Sequence, residues 1–321
     1  MSTRGRTLRA GAARRAAACR SRVAEGVGAR LPLLALVAVT AIWGVTFVLV
    51  KDALVLYPLF AFLAVRFAIS TVALAPFAVT ALRALPARGW VAGGLVGLLL
   101  AAAFGLQTAG LELTTVASTG FITGLYVVFT PILALALFGT PVPRALWLAV
   151  ALAVAGLALL SGVPEGSTIG NLLVLASALA TAFQIAALER LAPLYGARAL
   201  TFLMMATSFV AFTVVALALG DLPTPRGWTV WSALLATGLF AGALGYLIAT
   251  WVQARTTAAR AALVFTLEAP FAALAGVLLA GEVLGVGGWV GCAVMMAAIL
   301  VAEPAAADAL RRRAFGRRVL R

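Results

Sequence analysis

The sequence predicts an all-α polytopic membrane protein of ten transmembrane helices, arranged as two inverted five-helix repeats. Three observations carry that prediction. The chain is too apolar to fold in water, its arginines alternate between the two sides of the expected spans, and its second half echoes its first.

Apolarity comes first. Hydrophobic residues make up 64% of the 321, and charged residues only 11%. The mean hydropathy is +1.11. A soluble domain carries roughly a quarter of its residues as charges. A membrane-crossing helix needs about 20 apolar residues, so the stretch between the two basic tails holds about ten spans. The spans read as 31–51, 57–80, 90–111, 116–139, 145–162, 169–188, 199–219, 229–252, 260–280 and 285–303. Turn residues mark the breaks: Pro86, Pro141 with Pro143, Pro164 with Gly166, Pro193 with Gly196, Pro223 with Pro225, and Gly285. The units that follow are a basic tail (1–30), a first five-helix unit (31–162), a second (168–303) and a second basic tail (304–321).

Orientation follows from arginine. The inner connections of a ten-span chain with its amino terminus inside carry Arg83, Arg88, Arg144, Arg190, Arg198, Arg255 and Arg260. The outer side carries only Lys51 and Arg226, so the positive-inside rule places both termini in the cytoplasm. The acids Asp52, Glu112, Glu165, Asp221 and Glu282 fall on the outer side. The net charge of +14 is concentrated in the tails: Arg4, Arg6, Arg9, Arg14, Arg15, Arg20, Arg22 and Arg30 before the first span, and Arg311, Arg312, Arg313, Arg317, Arg318 and Arg321 after the last. Tails of this kind hold topology and touch anionic headgroups, so the expected partner is the lipid surface and not nucleic acid. The first 30 residues read as a cytoplasmic tail, with a transit peptide as the alternative.

The echo has a period. Thr114-Thr115 and Thr256-Thr257 lie 142 residues apart, and at the same shift Ala117 meets Ala259, Gly139 meets Gly281, Trp147 meets Trp289, Thr108 meets Thr250 and Phe104 meets Tyr246. Gly89-Trp90 meets Gly227-Trp228 at 138, and Lys51 is weakly matched with Arg190. A five-span unit turns its copy upside down, and inverted repeats suit a carrier whose halves rock about a central site.

These residues resemble the EamA type of the drug/metabolite transporter superfamily over about 31–303. The matching stretches are Trp43-Gly44 with Phe47 and Lys51, Arg66-Phe67, Leu106 to Gly110, the run from Gly120 to Pro131, Leu267-Glu268 with Pro270, and Gly281-Glu282. The resemblance implies ten helices in two inverted units and secondary transport, often export, of small metabolites or drugs. Gly139-Thr140 departs from the Gly-Glu pair the family often shows, so only the second unit keeps that acid, Glu282. It reads as a structural feature of an outer loop.

Candidate chemistry sits at depth. Arg66 lies well inside span two, where a charge costs at least roughly 2.5–3.5 kcal/mol. It is an anion-binding or gating residue, or an arginine tied to backbone carbonyls. Glu268 lies eight residues past Arg260, about 12 Å along the helix, and reads as the one acid buried in a span. A carboxyl held there carries a proton for coupling, or stays neutral and fixes packing; Pro270 nearby is expected to free a carbonyl or kink the helix. Thr119, Thr123, Tyr126 and Thr130 share one face of span four, and Ser177, Thr181 and Gln184 one face of span six. Tyr126, Thr123 and Gln184 are placed on the cavity wall, with interhelical hydrogen bonding as the alternative for the hydroxyls. Trp43, Thr46 and Phe47 on span one, with Gln107 and Tyr246 on spans three and eight, complete the candidate substrate-binding set. Gly238, Gly242 and Gly245 line a face of span eight, and Gly120 with Gly124 form a second small-residue pair.

Other classes fit less well. There is no histidine, and Cys19 and Cys292 are too few and too separated for a metal or disulfide framework, so no metal and no other cofactor is expected. No G-x-x-x-x-G-K-[ST] motif for ATP occurs. Channel-type charge rings are not visible. An intramembrane enzyme, a channel, and a sensor or scaffold with a transporter fold remain the rivals; a small-molecule substrate is the expected partner, and a homodimer is left open.

Overall fold

In the computed structural model, residues 31–46, 49–50, 52–114, 116–161, 167–281 and 283–316 are described. The tail 1–30, Phe47, Lys51, Thr115, Pro164 to Gly166, Glu282 and residues 317–321 lie outside them, so the expectations placed there are not addressed.

The described chain is helical and has no β-sheet. We label the helices α1 (Leu31–Thr46), α2 (Leu59–Arg83), α3 (Ala87–Leu111), α4 (Val116–Gly124 and Tyr126–Phe138), α5 (Arg144–Ser161), α6 (Thr168–Tyr195), α7 (Ala197–Ala218), α8 (Trp228–Gln253), α9 (Ala258–Phe265 and Glu268–Ala280) and α10 (Val286–Gly316). Eight of them, α2 to α9, are long and apolar enough to cross a membrane; α1 and the apolar part of α10, Val286–Ala302, are shorter apolar helices.

Local chemistry sets the boundaries. Pro58, Pro86 and Pro143 stand immediately before α2, α3 and α5, where a missing N–H costs nothing and the fixed φ suits the first turn. Ser167 caps α6 by accepting from Gly170 N, and Thr257 caps α9 by accepting from Arg260 N. Gly139 and Gly281 end α4 and α9 in the left-handed conformation that glycine reaches without Cβ strain (φ 61° and 67°). Trp90 at the start of α3 and Trp228 and Trp289 at the starts of α8 and α10 are exposed, as aromatic residues at a membrane interface are.

Helices α2, α3, α7 and α8 pack as one group, with α5, α9 and α10 packed together alongside α4; α6 lies against both α3 and α4. Two apolar clusters fill these groups. One centres on Phe67, Leu100, Leu200 and Met204, the other on Val127, Ala149, Ala182 and Leu263.

The repeat is visible as geometry. Helix α4 breaks at Leu125, where Leu125 N donates to Ile122 O and Phe129 N to Leu125 O. Helix α9 breaks at Leu267, where Leu267 N donates to Val264 O and Phe271 N to Leu267 O, all 142 residues later. Between α2 and α8, Ser70 Oγ donates to Gly238 O (2.7 Å); between α7 and α3, Ser208 Oγ donates to Gly97 O (3.2 Å).

Three details depart from expectation. Pro270 does not explain the break in α9, because α4 breaks at the same place with Val128 where α9 has Pro270. Helix α6 runs to Tyr195, not 188; its 28 residues make about 42 Å, more than the apolar core of a bilayer. And Glu189, just past the expected end of span six, lies within α6 and is half-buried.

Candidate functional site

The wall of the site begins with a defect in a helix. Residues Ala236–Gly245 of α8 form a π-helix, and the flanking turns are α-helical. A π turn staggers the carbonyls and frees acceptors. Trp43 Nε1 donates to Ala241 O (2.9 Å), and Ser70 takes Gly238 O as above. The glycines make room for both partners. A Cβ on Gly245 would stand 2.9 Å from Trp43 Nε1, one on Gly238 2.8 Å from Ile69 Cγ2, and one on Gly242 would meet Ser70 Oγ. So the glycine face expected of span eight does turn inward, against α1 and α2, but on a π-helix.

Trp43, held by that bond, stands against two aromatic rings. Its centroid is 5.2 Å from Tyr246 and 5.4 Å from Phe265, both tilted near 40°. Such offset arrangements are favoured by the ring quadrupoles. Next to it α2 presents Arg66. The guanidinium carbon lies 5.2 Å from the centre of Phe104 and 5.7 Å from that of Phe67. Phe67 in turn stacks on Phe212 (5.5 Å) and meets Phe104 edge-on. Nε of Arg66 is buried and has no hydrogen-bond partner, and no described bond ties its guanidinium to a backbone carbonyl.

Arg66 interacts electrostatically with Tyr246 and Glu268, and Tyr126 with Glu268 and Tyr246. Four helices therefore supply one cluster: α2 gives Arg66, α4 Tyr126, α8 Tyr246 and α9 Glu268. Tyr126 and Glu268 are the first residues after the breaks in α4 and α9, 142 apart, as are Phe104 and Tyr246.

The other predicted residues lie as follows. Gln107 Nε2 donates to Thr123 Oγ1 (2.9 Å), joining α3 to α4. Thr46 Oγ1 bonds back to Trp43 O (2.8 Å). Gln184 is buried at 4% exposure, and its amide reaches Met204 Sδ of α7 (3.6 Å). Ser177 donates to Ala103 O across to α3, and Thr130 to Tyr126 O, so these hydroxyls are used in packing. Sequence reasoning did not place Phe104 and Phe265 in the site. The match of Phe104 with Tyr246 was the available signal for the first; Phe265, three residues before Glu268, had only proximity.

A second polar cluster sits at the arginine-rich end of the bundle. Glu189 of α6 accepts from Ala258 N at the start of α9 (2.9 Å) and from Thr140 Oγ1 just past the end of α4 (3.4 Å). Its neighbour Arg190 donates to Phe138 O, the end of α4, at 2.6 Å, and lies 5.4 Å from the Phe138 ring centre. The anion meets the positive end of one helix and the cation the negative end of another. Thr140, which follows Gly139 at the end of α4, is a donor to the carboxylate of Glu189. Away from both clusters, an apolar groove of about 620 Å³ between α2, α7 and α8 is lined by Tyr57, Ile69, Phe209, Trp231 and Leu239 among others.

Comparison with known proteins agrees with the architecture. A solved structure, described only as a crystal structure of a protein, superposes with a TM-score of 0.72 at 18% identity, over 86% of this chain and 98% of that one. That likeness bears on the fold alone. An uncharacterized transporter of Archaeoglobus fulgidus is 31% identical over 286 residues, 87% of each chain. Residues 30–162 and 168–302 each match the EamA-like transporter family. On these matches, and as a multi-pass membrane protein, the chain belongs to the EamA-like transporter family.

Proposed function

We propose that the protein is a secondary transporter that exports a small metabolite or drug-like molecule across the cytoplasmic membrane by alternating access, with both termini in the cytoplasm. The observation that supports this reading is the cluster of Arg66, Tyr126, Tyr246 and Glu268, in which Tyr126 of the first matched half and Glu268 of the second are equivalent positions. An odd number of helices per unit makes the copies antiparallel, and a site on the axis between antiparallel halves can face either side as they rock.

The Glu189–Arg190 cluster supports the same cycle. On the arginine count, its end of the bundle is the cytoplasmic one. There α6 of the second unit is bonded to Phe138 and Thr140 of the first, so opening that end means breaking those bonds and remaking them. Closed, they shut the path from the cytoplasm. Glu268 is the proton-coupling residue in this reading, because it is the carboxyl of the cluster, the kind of group that takes up and releases a proton along intramembrane pathways.

The test is counterflow in proteoliposomes. Vesicles loaded with an unlabelled metabolite extract should exchange at least one labelled solute, and the rate should depend on pH. Glu268→Gln should leave exchange in place and remove the pH dependence. If the wild-type protein exchanges nothing from a broad panel, the transport reading fails in favour of a sensor or scaffold. A conductance without counterflow would indicate a channel.

A further inference from the structure

We infer that Arg66 is a binding subsite for an acidic group, and that the solute is a small organic carboxylate on a flat apolar framework. The inference rests on the transport reading and names the substrate class of that same site.

A guanidinium has five N–H donors and stays charged at any physiological pH. Contact with the Phe104 and Phe67 rings stabilises the charge but occupies none of those donors. Nε is sealed from solvent and unbonded. Polar groups on the surrounding helices are bonded within the protein: Ser70 holds Gly238 O, Trp43 holds Ala241 O, and Gln107 holds Thr123. Nε of Arg66 is a buried donor left unfilled, and a planar fork of donors matches the two oxygens of a carboxylate.

The groups that face Arg66 decide the sign of the solute. Tyr246 on α8 and Glu268 on α9 interact with it, and Tyr126 on α4 interacts with Glu268. Of these only Glu268 opposes the charge of Arg66, and it can be neutralised by a proton, whereas Arg66 cannot. The permanent element of the site is positive. A cationic solute would face that charge whenever Glu268 carries a proton. A neutral solute can offer Nε–H only an uncharged acceptor, a weaker partner for a guanidinium than a carboxylate. The apolar framework follows from the surroundings: Trp43 packs with Tyr246 and Phe265, and Phe104 lies beside Arg66, so the neighbourhood of the guanidinium is aromatic and suits a flat apolar body.

Three size-matched probes test this by calorimetric titration of the full-length detergent-solubilised protein: phenylacetate, phenethylamine and 2-phenylethanol. Phenylacetate should bind roughly 10- to 100-fold more tightly than the other two, the range expected of a charge-assisted hydrogen bond in a buried site. Arg66→Met should abolish that preference. Glu268→Gln, which removes the opposing charge, should strengthen phenylacetate binding or leave it unchanged, and keeps the inference testable if Arg66→Met does not fold. Equal or better binding of the amine or the alcohol, a preference that survives Arg66→Met, a loss of phenylacetate binding in Glu268→Gln, or no binding of phenylacetate would each overturn it. Counterflow separates the two readings. Exchange of a solute that proves neutral or cationic leaves the transporter standing and sinks the carboxylate subsite; Arg66-dependent phenylacetate binding without any exchange does the reverse.

Discussion

Removing the indole N–H of Trp43 would take from the carbonyl of Ala241, in the π-helical part of α8, the bond that ties it to α1. Trp43→Phe keeps an aromatic ring beside Tyr246 and Phe265 but loses that bond and part of the indole's packing. Thermal denaturation in detergent should show a loss of at least about 1 kcal/mol; an unchanged midpoint would mean that neither the bond nor the indole's bulk is needed. Tyr57, in the bend before α2, makes a comparable bond outside the membrane span: its hydroxyl donates to Pro223 O at 2.6 Å. Burial, and next the charge of Asp221, push its phenol above the ordinary value of 10.0. The sign follows directly. A raised value means that the folded state favours the neutral phenol, so the contribution is complete below pH about 10 and disappears as pH rises through the shifted value. Wild type should therefore lose stability as pH rises above about 10, and Tyr57→Phe should flatten that part of the profile.

Among the elements, α8 departs furthest from ideal geometry, and its glycines Gly238, Gly242 and Gly245 each stand close against α1 or α2. Gly242 faces Ser70 Oγ, so Gly242→Ala forces α2 and α8 apart and should cost roughly 1–3 kcal/mol, as overpacking does. Gly94 of α3 has open space where a Cβ would go, so Gly94→Ala should instead stabilise by about 0.5–1 kcal/mol through helix propensity. Comparing the two by thermal denaturation tests whether the π segment is held by close approach. If Gly242→Ala is also neutral, the approach of Ser70 is not needed. The sequence pointed to the glycine face of span eight but not to the π-helix, because glycines three and four apart fit the face of an α-helix equally well. The breaks in α4 and α9 were hidden for a related reason: Thr119, Thr123, Tyr126 and Thr130 read as one stripe, and a one-residue break at Leu125 leaves no mark in composition.

For the whole molecule, the Glu189–Arg190 cluster makes a prediction about access. Arg190→Gln removes the charge that holds Phe138 O, and Glu189→Gln weakens the hold on Ala258 N and Thr140. Either change should favour the state open at the arginine-rich end. A cysteine introduced at Thr123, in a background without Cys19 and Cys292, should then react faster with an impermeant maleimide applied to that end, by roughly 3- to 10-fold for a bias of about 1 kcal/mol. Unchanged labelling would assign the cluster to static packing.

Sequence alone determined that the chain is a helical membrane protein, where its helices begin and end to within a few residues at most boundaries, and that its halves repeat. Hydropathy, proline and glycine act locally, so they are readable without neighbours. It also picked out Arg66, Tyr126, Tyr246 and Glu268, because a charge or phenol inside an apolar run stands out. It did not single out Phe104 and Phe265, which look like any other apolar residues. It matched Lys51 with Arg190 only weakly and gave no weight to Glu189 beside it. Tertiary structure decided the rest. That Arg66 meets ring faces and leaves Nε unfilled, that Ser70 and Ser208 make matching bonds to glycine carbonyls, and that Glu189 reaches the start of α9 all depend on which helices lie side by side. In a chain where nearly every helix is apolar on every face, hydrophobicity cannot choose those neighbours; close approach of small residues and the pairing of a few polar groups do.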